Sequence, residues 1–265
     1  MEAKEALDLY IKNNIPLADI RIIFNNYFNI NFDNAFTSKE EIDDEKINYI
    51  LDLLLKGYPA VYIVGYDDIR GIRFYLNENV LIPRTETIEF IYDYVKNNLN
   101  LNNLKVLDLC TGSGFIALSL KKMFKDASIF ASDISVDALE IARRNAEYNN
   151  LDVNFIKSNF LDDIDDTFDI IISNPPYIEE DSLDVYAPFE PHIALYSGKD
   201  GLDSYRQIFK KLKSHLKENG KAYFEIESTN LNNTISLLHD IEPTIKNETY
   251  YDINNKPRYL LLSLN

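Results

Sequence analysis

Four consecutive residues, Asn174-Pro175-Pro176-Tyr177, carry the most specific chemistry in this sequence. They directly follow the apolar run from Phe168 to Ser173, which predicts a strand that ends in a rigid turn. Two prolines remove two amide donors, so nearby carbonyl oxygens stay free to accept hydrogen bonds, and Asn174 adds a side-chain carbonyl. Tyr177 adds an aromatic face with a polar tip. Such a corner suits a carboxamide, or the exocyclic amine of a base, placed for methylation; the alternative is an ordinary proline turn with an Asn cap.

A second motif lies upstream, where Val106 to Leu109 predicts a strand and Cys110-Thr111-Gly112-Ser113-Gly114 predicts a loop before a helix. Glycines are needed where a backbone turns tightly and approaches a ligand without a Cβ in the way. The run from Ile129 to Asp133 predicts another strand, which ends in a carboxylate. In open α/β sheets a carboxylate at this position binds the hydroxyls of a ribose. The alternative is a glycine turn with a surface aspartate.

The glycine spacing alone fits a dinucleotide as well as a nucleoside cofactor. Asp108 places a carboxylate beside the loop, which suits the cationic groups of S-adenosylmethionine better than a pyrophosphate, and the proline corner on a later strand favours the same methyl donor. Phe160 is expected to pack on an adenine and Asn159 to bond its edge, although core packing explains Phe160 equally well. The residues that we assign to cofactor binding are Asp108, Cys110, Thr111, Gly112, Ser113, Gly114, Asp133, Asn159, Phe160 and Asn174.

The composition is that of an acidic globular protein: 265 residues, 46% of them hydrophobic, with a net charge of −16 that is spread over both halves of the chain. Because neutralising phosphates requires Lys and Arg, we expect no stable binding to nucleic acid. No run approaches the roughly 18 apolar residues that span a bilayer, the N-terminus lacks the apolar core of a signal peptide, and the single cysteine excludes an intramolecular disulfide. We expect a cytoplasmic monomer that does not bind membranes.

The elements that position these motifs divide into three parts. Residues 1–60 are predicted to form a small helical domain, with a capping box at Ser38 and Glu41. Residues 61–83 are predicted to form a β-hairpin linker that begins with Val61 and Ile63 and turns at Asp67-Asp68, and residues 84–265 form the third part. The apolar stripes expected in the helical core are Leu7, Tyr10, Ile11, Leu17, Ile20, Phe24, Tyr27, Ile47, Ile50, Leu51, Leu54 and Leu55.

Beyond residue 100 short strands alternate with helices, which is typical of a Rossmann-like α/β fold with a mainly parallel sheet covered on both faces. The strands are predicted at 105–109, 129–132, 154–157, 169–173 and 221–226, with an antiparallel edge pair near 245–251 and 258–263. The helices are predicted at 115–124, 135–149, 201–217 and 229–239.

These motifs together resemble the Asn-Pro-Pro-Tyr methyltransferases and, within them, the release-factor glutamine methyltransferases (the PrmC/HemK family). The resemblance covers most of the chain; besides the two motifs it includes Tyr62-Ile63-Val64-Gly65, Leu81-Ile82-Pro83-Arg84, Phe189-Glu190-Pro191 and Gly198 to Leu202. It implies a helical N-terminal domain that helps to dock the substrate and a seven-stranded S-adenosylmethionine-dependent methyltransferase domain. It also implies the substrate, the glutamine of the Gly-Gly-Gln motif of class I peptide-chain release factors, methylated on N5.

Three departures from the family pattern bear on partner choice and rate. Thr85 and Ile88 replace a proline and an acid after Arg84. Glu227 stands where the family has a glycine, with Asn230 near the position of a glutamine. The segment 255–258 lacks a glycine before its arginine.

For catalysis we expect Asn174 Oδ1 and the carbonyl oxygen of Pro175 to accept the two hydrogens of the glutamine amide and to hold its nitrogen at the methyl carbon. Tyr177 is expected to pack on the amide, and Pro176 and Arg84 to complete the substrate site, with Arg84 either contacting substrate or forming a structural ion pair. The reaction needs no metal and releases S-adenosylhomocysteine. Two alternatives remain open: an adenine-N6 nucleic-acid methyltransferase and a non-catalytic S-adenosylmethionine-binding adaptor.

Overall fold

The computed structural model describes residues 1–182 and 188–264 and forms two compact units. The first comprises Met1–Ile69 and Tyr75–Glu78; the second comprises Arg70–Phe74 and the chain from Asn79 onwards. Among the described residues, every helix is too short or too polar to cross a bilayer.

The first unit is helical, as the sequence predicts. Its core surrounds Tyr10, which is fully buried, meets the ring of Phe24 edge-on at 6.1 Å, and donates a hydrogen bond to the carbonyl of Ile47 at 3.0 Å. The elements are α1 (Ala3–Lys12), α2 (Leu17–Ile22), α3 (Phe32–Ala35), α4 (Asp44–Leu55), α5 (Ala60–Val64) and β1 (Tyr66–Ile69).

Two local expectations for this unit are wrong. Helix α4 begins after Asp43, whose carboxylate accepts hydrogen bonds from the amides of Glu45 and Lys46 at 2.8 and 3.3 Å, so Ser38 and Glu41 do not form its cap. Four residues of the expected stripes are exposed: Ile11, Leu17, Tyr27 and Leu55. For Tyr27 the reason is a π-helical turn over Ile23–Tyr27, which widens the helix and rotates this side chain off the buried face.

The hairpin begins later than the pattern indicates. Residues 60–64 are helical, not extended, and Gly65 ends this helix at φ +83°. The two-stranded sheet pairs β1 with β2 (Ile72–Tyr75), and the division between the two units runs through this hairpin. Its turn lies at Arg70-Gly71, where φ is +51° and +79°, because a tight hairpin turn requires positive φ that Gly71 provides; Asp67-Asp68 lies within β1.

The second unit contains a seven-stranded sheet in the order β5-β4-β3-β6-β7-β9-β8, which confirms the predicted α/β fold. Strands β3 to β7 run parallel to one another, and β9 pairs antiparallel with both β7 and β8. The strands are β3 (Lys105–Leu109), β4 (Ser128–Asp133), β5 (Asn154–Lys157), β6 (Phe168–Ser173), β7 (Leu216–Glu225), β8 (Lys246–Tyr251) and β9 (Pro257–Ser263). Strands β3 and β6 read as continuous apolar runs because both of their faces are buried.

Helices cover this sheet between the strands. They are α6 (Thr85–Glu89), which continues through a π-helical stretch (Phe90–Val95) into α7 (Lys96–Asn98), then α8 (Phe115–Met123), α9 (Val136–Asn149), α10 (His192–Leu195), α11 (Asp203–His215) and α12 (Leu231–Ile241). The chain runs from β3 outward through β4 to β5, then returns to place β6 on the other side of β3. This reversal creates a topological switch point at the carboxyl ends of β3 and β6, where open α/β sheets bind ligands.

Candidate active site

A cavity of about 340 Å³ opens at this switch point. The residues that follow β3, β4, β5 and β6 all contribute to its wall, because the carboxyl ends of parallel strands meet at one edge of the sheet. The predicted site residues that line it are Arg84, Cys110, Thr111, Gly112, Ser113, Asp133, Asn159, Phe160, Asn174 and Pro176. The structure thus brings together most of the residues that the sequence nominates.

The glycine loop between β3 and α8 owes its shape to left-handed backbone. Gly112 and Gly114 have φ of +52° and +84°, and Cys110 also has a positive φ of +63°. A Cβ added to Gly114 would lie 3.2 Å from Cβ of Ala142 in α9, so this glycine also permits close packing between the loop and a helix. The amide of Thr111 donates to the carbonyl of Ser132 at 2.9 Å and ties the loop to β4.

Asp108 lies beneath this loop and is completely buried. Its Oδ2 accepts hydrogen bonds from the Thr111 hydroxyl at 2.5 Å and from the Ala117 amide at 2.9 Å, while its buried Oδ1 has no hydrogen-bond partner among the described residues. Burial raises the pKa of Asp108 from 3.8 to about 7. Asp108 is absent from the cavity wall, so its contacts position the loop and the start of α8 instead of facing a ligand directly.

Asp133 ends β4 and faces the cavity. Its Oδ2 accepts from the amide of Gly112 and its Oδ1 from the amide of Ser135, both at 2.9 Å. Each oxygen keeps a further lone pair for a hydroxyl donor. Burial raises the pKa of this carboxyl, and the backbone donors act against that shift. The next residue, Ile134, is 44% exposed and adds an apolar surface to the same wall.

Asn159 and Phe160 lie in the cavity wall after β5, as expected. Phe160 adopts a left-handed φ of +48°, lines the cavity and also packs against the hydrophobic core, which is the second of the two roles considered for it. Asn159 Nδ2 donates to Asp162 Oδ2 at 2.9 Å. Their contact with an adenine stays a prediction.

Two residues of the proline corner after β6 line the cavity, and the other two do not. Asn174 and Pro176 line the cavity, whereas Pro175 is buried. Tyr177 lies behind the corner instead of forming a wall: its ring packs against the core, its amide donates to the carbonyl of Leu195 at 3.1 Å, and its hydroxyl donates to Glu225 at 3.1 Å. Tyr177 therefore braces the corner.

A buried carboxylate that the sequence does not reveal as a site residue lies behind this corner. Glu225, at the end of β7, is 3% exposed and accepts hydrogen bonds from Thr87 at 2.6 Å and from Tyr259 at 2.8 Å, in addition to Tyr177. Burial raises the pKa of Glu225, and the three hydroxyl donors oppose the shift. Thr87 also lines the cavity and lies 3.4 Å from Asn174 Nδ2. Glu225 and Thr87 each lie within two residues of a noted family departure, which is the only sequence signal that marked them.

Arg84 forms an ion pair with Glu190, whose carboxylate is buried and also accepts a hydrogen bond from the amide of Ile82 at 3.0 Å. Glu190 thereby fixes the Leu-Ile-Pro-Arg segment to the Phe-Glu-Pro segment. The Arg84 side chain keeps 36% of its surface exposed and lines the cavity. The structural ion pair is thus present, and a substrate contact by Arg84 stays a prediction.

Most residues of the three departures find local explanations. Thr85 is exposed at the first helical position of α6, which proline favours but does not require, and nothing in the structure explains Ile88. The Glu227 side chain accepts from the Thr229 amide at 3.4 Å at the start of a 3₁₀ turn, and Asn230 donates to the carbonyl of Asp200 at 2.8 Å. Asn255 has φ of +57°, so it replaces the absent glycine in the turn between β8 and β9.

These residues fit the methyl donor that the sequence predicts. The cavity has the volume of a site for a ligand of that size, about 300–1,000 Å³ in general. The carboxylate of Asp133 has free acceptor capacity for ribose hydroxyls, and Ile134 and Phe160 provide apolar surface for a base. Asp108 Oδ1 is buried without a hydrogen-bond partner among the described residues, and the ionised form of this carboxyl, which becomes populated near pH 7, would favour a cationic ligand at the loop. Within the described part of the chain, no cluster of three or more His, Cys, Asp or Glu is arranged to hold a metal ion.

Structural comparison supports the fold. A methyltransferase from Pyrococcus furiosus superposes with a TM-score of 0.57 at 19% identity, covering 84% of this chain and all of that chain. The catalytic domain of hMettl16, in complex with MAT2A 3'UTR hairpin 1, gives a TM-score of 0.58 at 16% identity over 74% of this chain and 75% of its own. At such identities the likeness shows the α/β methyltransferase fold alone.

Sequence comparison identifies the family. Residues 90–189 match the family model for the methyltransferase small domain. The release factor glutamine methyltransferase of Flavobacterium psychrophilum is 42% identical over 205 residues, which is 72% of each chain. The protein of the same name from Streptococcus pneumoniae is 40% identical over 218 residues, 78% of this chain and 77% of its own. This chain belongs to the release factor glutamine methyltransferase family.

Proposed function

We propose that this protein transfers a methyl group from S-adenosylmethionine to N5 of the glutamine in the Gly-Gly-Gln motif of class I peptide-chain release factors. The observation that carries the proposal is the position of Asn174. Its side chain lies in the cavity wall at the switch point, on a corner stiffened by two prolines and beside the glycine loop of the cofactor motif. Family membership supports the same activity.

In this proposal the cofactor is held by the loop from Cys110 to Gly114, by Asp133, and by Asn159 and Phe160, with Asp108 supporting the loop. S-adenosylmethionine supplies a methyl group that is already activated by a positively charged sulfur. The chain's own residues therefore have to orient the acceptor and exclude water more than they have to provide a strong base. Asn174 is the residue that lies in both the cofactor and the substrate assignments.

The substrate nitrogen is a poor nucleophile because its lone pair is delocalised into the amide carbonyl. Asn174 Oδ1 and the carbonyl oxygen of Pro175 would each accept one amide hydrogen and so stabilise the positive charge that develops on the nitrogen. Pro176 lines the cavity beside them, and Tyr177 braces the corner from behind. Arg84 at the cavity wall is the candidate for a further substrate contact.

The proposal extends to parts of the chain away from the cavity. Residues 1–60 are proposed to help dock the release factor, residues 61–83 to link, and residues 84–265 to carry the reaction. A monomeric state, a cytoplasmic location, independence of metal ions and the lack of stable nucleic-acid binding also stay predictions.

The test is transfer of label from tritiated donor to a purified class I release factor, with the modified residue located by mass spectrometry. We expect label on the glutamine of Gly-Gly-Gln. Asn174→Ala should lower kcat by about 10²- to 10³-fold, the usual cost of deleting one group that stabilises developing charge. Donor affinity should stay within about three-fold, because the loop and Asp133 remain.

The matched control is Asn154→Ala, which removes an exposed asparagine on β5 outside the cavity wall and should leave transfer unchanged. Label in nucleic acid instead of the factor would support the adenine-N6 alternative. Donor binding without any transfer would support the adaptor alternative. Either result contradicts the proposal.

A further inference from the structure

Behind the proline corner, hydrogen bonds form a directed chain from a buried carboxylate to the cavity. The Thr87 hydroxyl donates to Glu225 Oε2 at 2.6 Å, and Asn174 Nδ2 lies 3.4 Å from Thr87 Oγ1. Thr87 and Glu225 are each 3% exposed, so the bond between them is shielded from water, whereas the contact between Thr87 and Asn174 is partly buried. The chain ends at Asn174, the residue that faces the cavity.

The direction of these bonds follows from the donors and acceptors available. An ionised carboxylate only accepts, and Glu225 receives the hydroxyl hydrogens of Thr87, Tyr177 and Tyr259. Burial and the nearby negative charge raise the pKa of the Tyr177 and Tyr259 hydroxyls, so both remain donors. Once the single hydrogen of Thr87 is given to Glu225, Thr87 Oγ1 offers only lone pairs to Asn174.

An asparagine amide has an acceptor end and a donor end, and rotation by half a turn exchanges them. Only the NH₂ end of Asn174 can bond to a Thr87 oxygen that has no hydrogen left to give. The orientation with Nδ2 toward Thr87 leaves Oδ1 as the group available to the cavity. The reverse orientation would place two oxygens against each other and turn a donor toward the substrate's own NH₂ group.

We propose that Glu225 and Thr87 are positioning residues that fix the orientation of the Asn174 side chain, so that its Oδ1 accepts a hydrogen bond from the reacting amide. This inference rests on the proposed function. The inference also extends the proposed function to substrate specificity. A fixed acceptor at Asn174 Oδ1 selects substrates that present an N–H at this point and disfavours groups that present only an oxygen.

The test compares kcat, KM for the release factor, and donor affinity in Thr87→Val, Thr87→Ser and Glu225→Gln. Thr87→Val keeps the shape but removes the acceptor for Asn174. Since one hydrogen bond contributes about 0.5–1.5 kcal/mol, we expect kcat to fall about 2- to 12-fold. Thr87→Ser keeps the hydroxyl and should retain kcat within about two-fold of the wild type.

Glu225→Gln is the sharper perturbation. The amide of the variant can donate to Thr87 Oγ1, which frees the Thr87 hydrogen to point at Asn174 and favours the reversed orientation. We expect kcat to fall by about ten-fold or more, with KM for the factor and donor affinity within about two-fold of wild type. The matched control is Thr234→Val, because Thr234 is also buried and bonded, to the carbonyl of Asn230 at 3.0 Å, but lies outside the cavity wall. It should lower Tm without lowering kcat.

The outcomes are separable from those of the proposed function. If wild-type protein fails to label the release factor, the proposed function is wrong. If wild-type protein labels the factor while Thr87→Val and Glu225→Gln both keep kcat within about two-fold, the positioning role is wrong. A fall in kcat for Thr234→Val equal to that for Thr87→Val would also overturn it, because general loss of packing would then explain both. Should Thr87→Val not fold, the Glu225→Gln result alone gives the answer.

Discussion

Replacing Asp108 by Asn tests whether a buried charge supports the cofactor loop. Burial raises the pKa of Asp108 from 3.8 to about 7, although Thr111 and Ala117 donate hydrogen bonds to it. Because the folded-state pKa lies above the unfolded value, the folded chain binds more protons than the unfolded chain between these two values. The contribution of this group to stability is therefore complete below about pH 4 and is lost as the pH rises through about 7.

The magnitude follows from the two pKa values. At 1.36 kcal/mol per pKa unit, the contribution of Asp108 falls by roughly 3 kcal/mol between about pH 5 and about pH 8. Asp108→Asn cannot titrate but keeps an oxygen for the Ala117 amide. Urea unfolding of both proteins across this pH range measures the effect. We expect the free energy of unfolding of the variant, relative to that of the wild type, to rise by this amount with increasing pH.

The same ionisation should influence binding of the methyl donor, since its sulfonium and ammonium groups favour a charged carboxylate beside the loop. If the charged form binds preferentially, affinity measured by calorimetry rises up to about ten-fold between about pH 6 and about pH 8, and Asp108→Asn lacks this part of the increase. Parallel pH profiles for the unfolding free energies of the two proteins would refute the reasoning, because they would show that Asp108 does not titrate between its ordinary pKa and neutrality.

Two further substitutions test backbone conformation. Gly114→Ala should lower the free energy of unfolding by about 2 kcal/mol and weaken donor binding in calorimetry, because φ is +84° and the new Cβ would crowd Ala142 at 3.2 Å; a variant with wild-type stability would contradict this account of the loop. Asn255→Ala should lower the free energy of unfolding by about 1 kcal/mol, whereas Asn255→Gly should change it by only a few tenths of a kcal/mol. The reason is that Asn and Gly tolerate the φ of +57° that Ala does not. Equal effects of the two Asn255 variants would show that its backbone conformation is not what matters in that turn.

The parts of the fold that the sequence predicts well are those with local signals. Strands β3 and β5 have the predicted bounds, and β3 ends directly before Cys110, whose φ of +63° is incompatible with a strand. The glycine loop and the proline corner also lie at one cavity as expected, since both follow parallel strands and therefore reach the same edge of the sheet. In these cases the residue types alone determine the local geometry.

The parts that the sequence does not reveal depend on distant partners. Thr87 and Glu225 are 138 residues apart, and nothing near either residue indicates that their side chains meet. The position of Tyr177 also depends on a distant partner. Its aromatic ring would suit a cavity wall, but its hydroxyl donates a hydrogen bond to the buried carboxylate of Glu225, on the side of the corner away from the cavity. The five apolar residues between Pro59 and Gly65 fit a helix or a strand equally well, so the pattern predicts a strand where helix α5 forms.

A crystal structure of this protein with S-adenosylhomocysteine and a class I release factor would test the central claim most directly. The account predicts that Asn174 Oδ1 and the carbonyl oxygen of Pro175 each lie about 2.7–3.2 Å from the side-chain nitrogen of the Gly-Gly-Gln glutamine. A complex in which both oxygens point away from that nitrogen, with the glutamine still facing the cofactor sulfur, would contradict it.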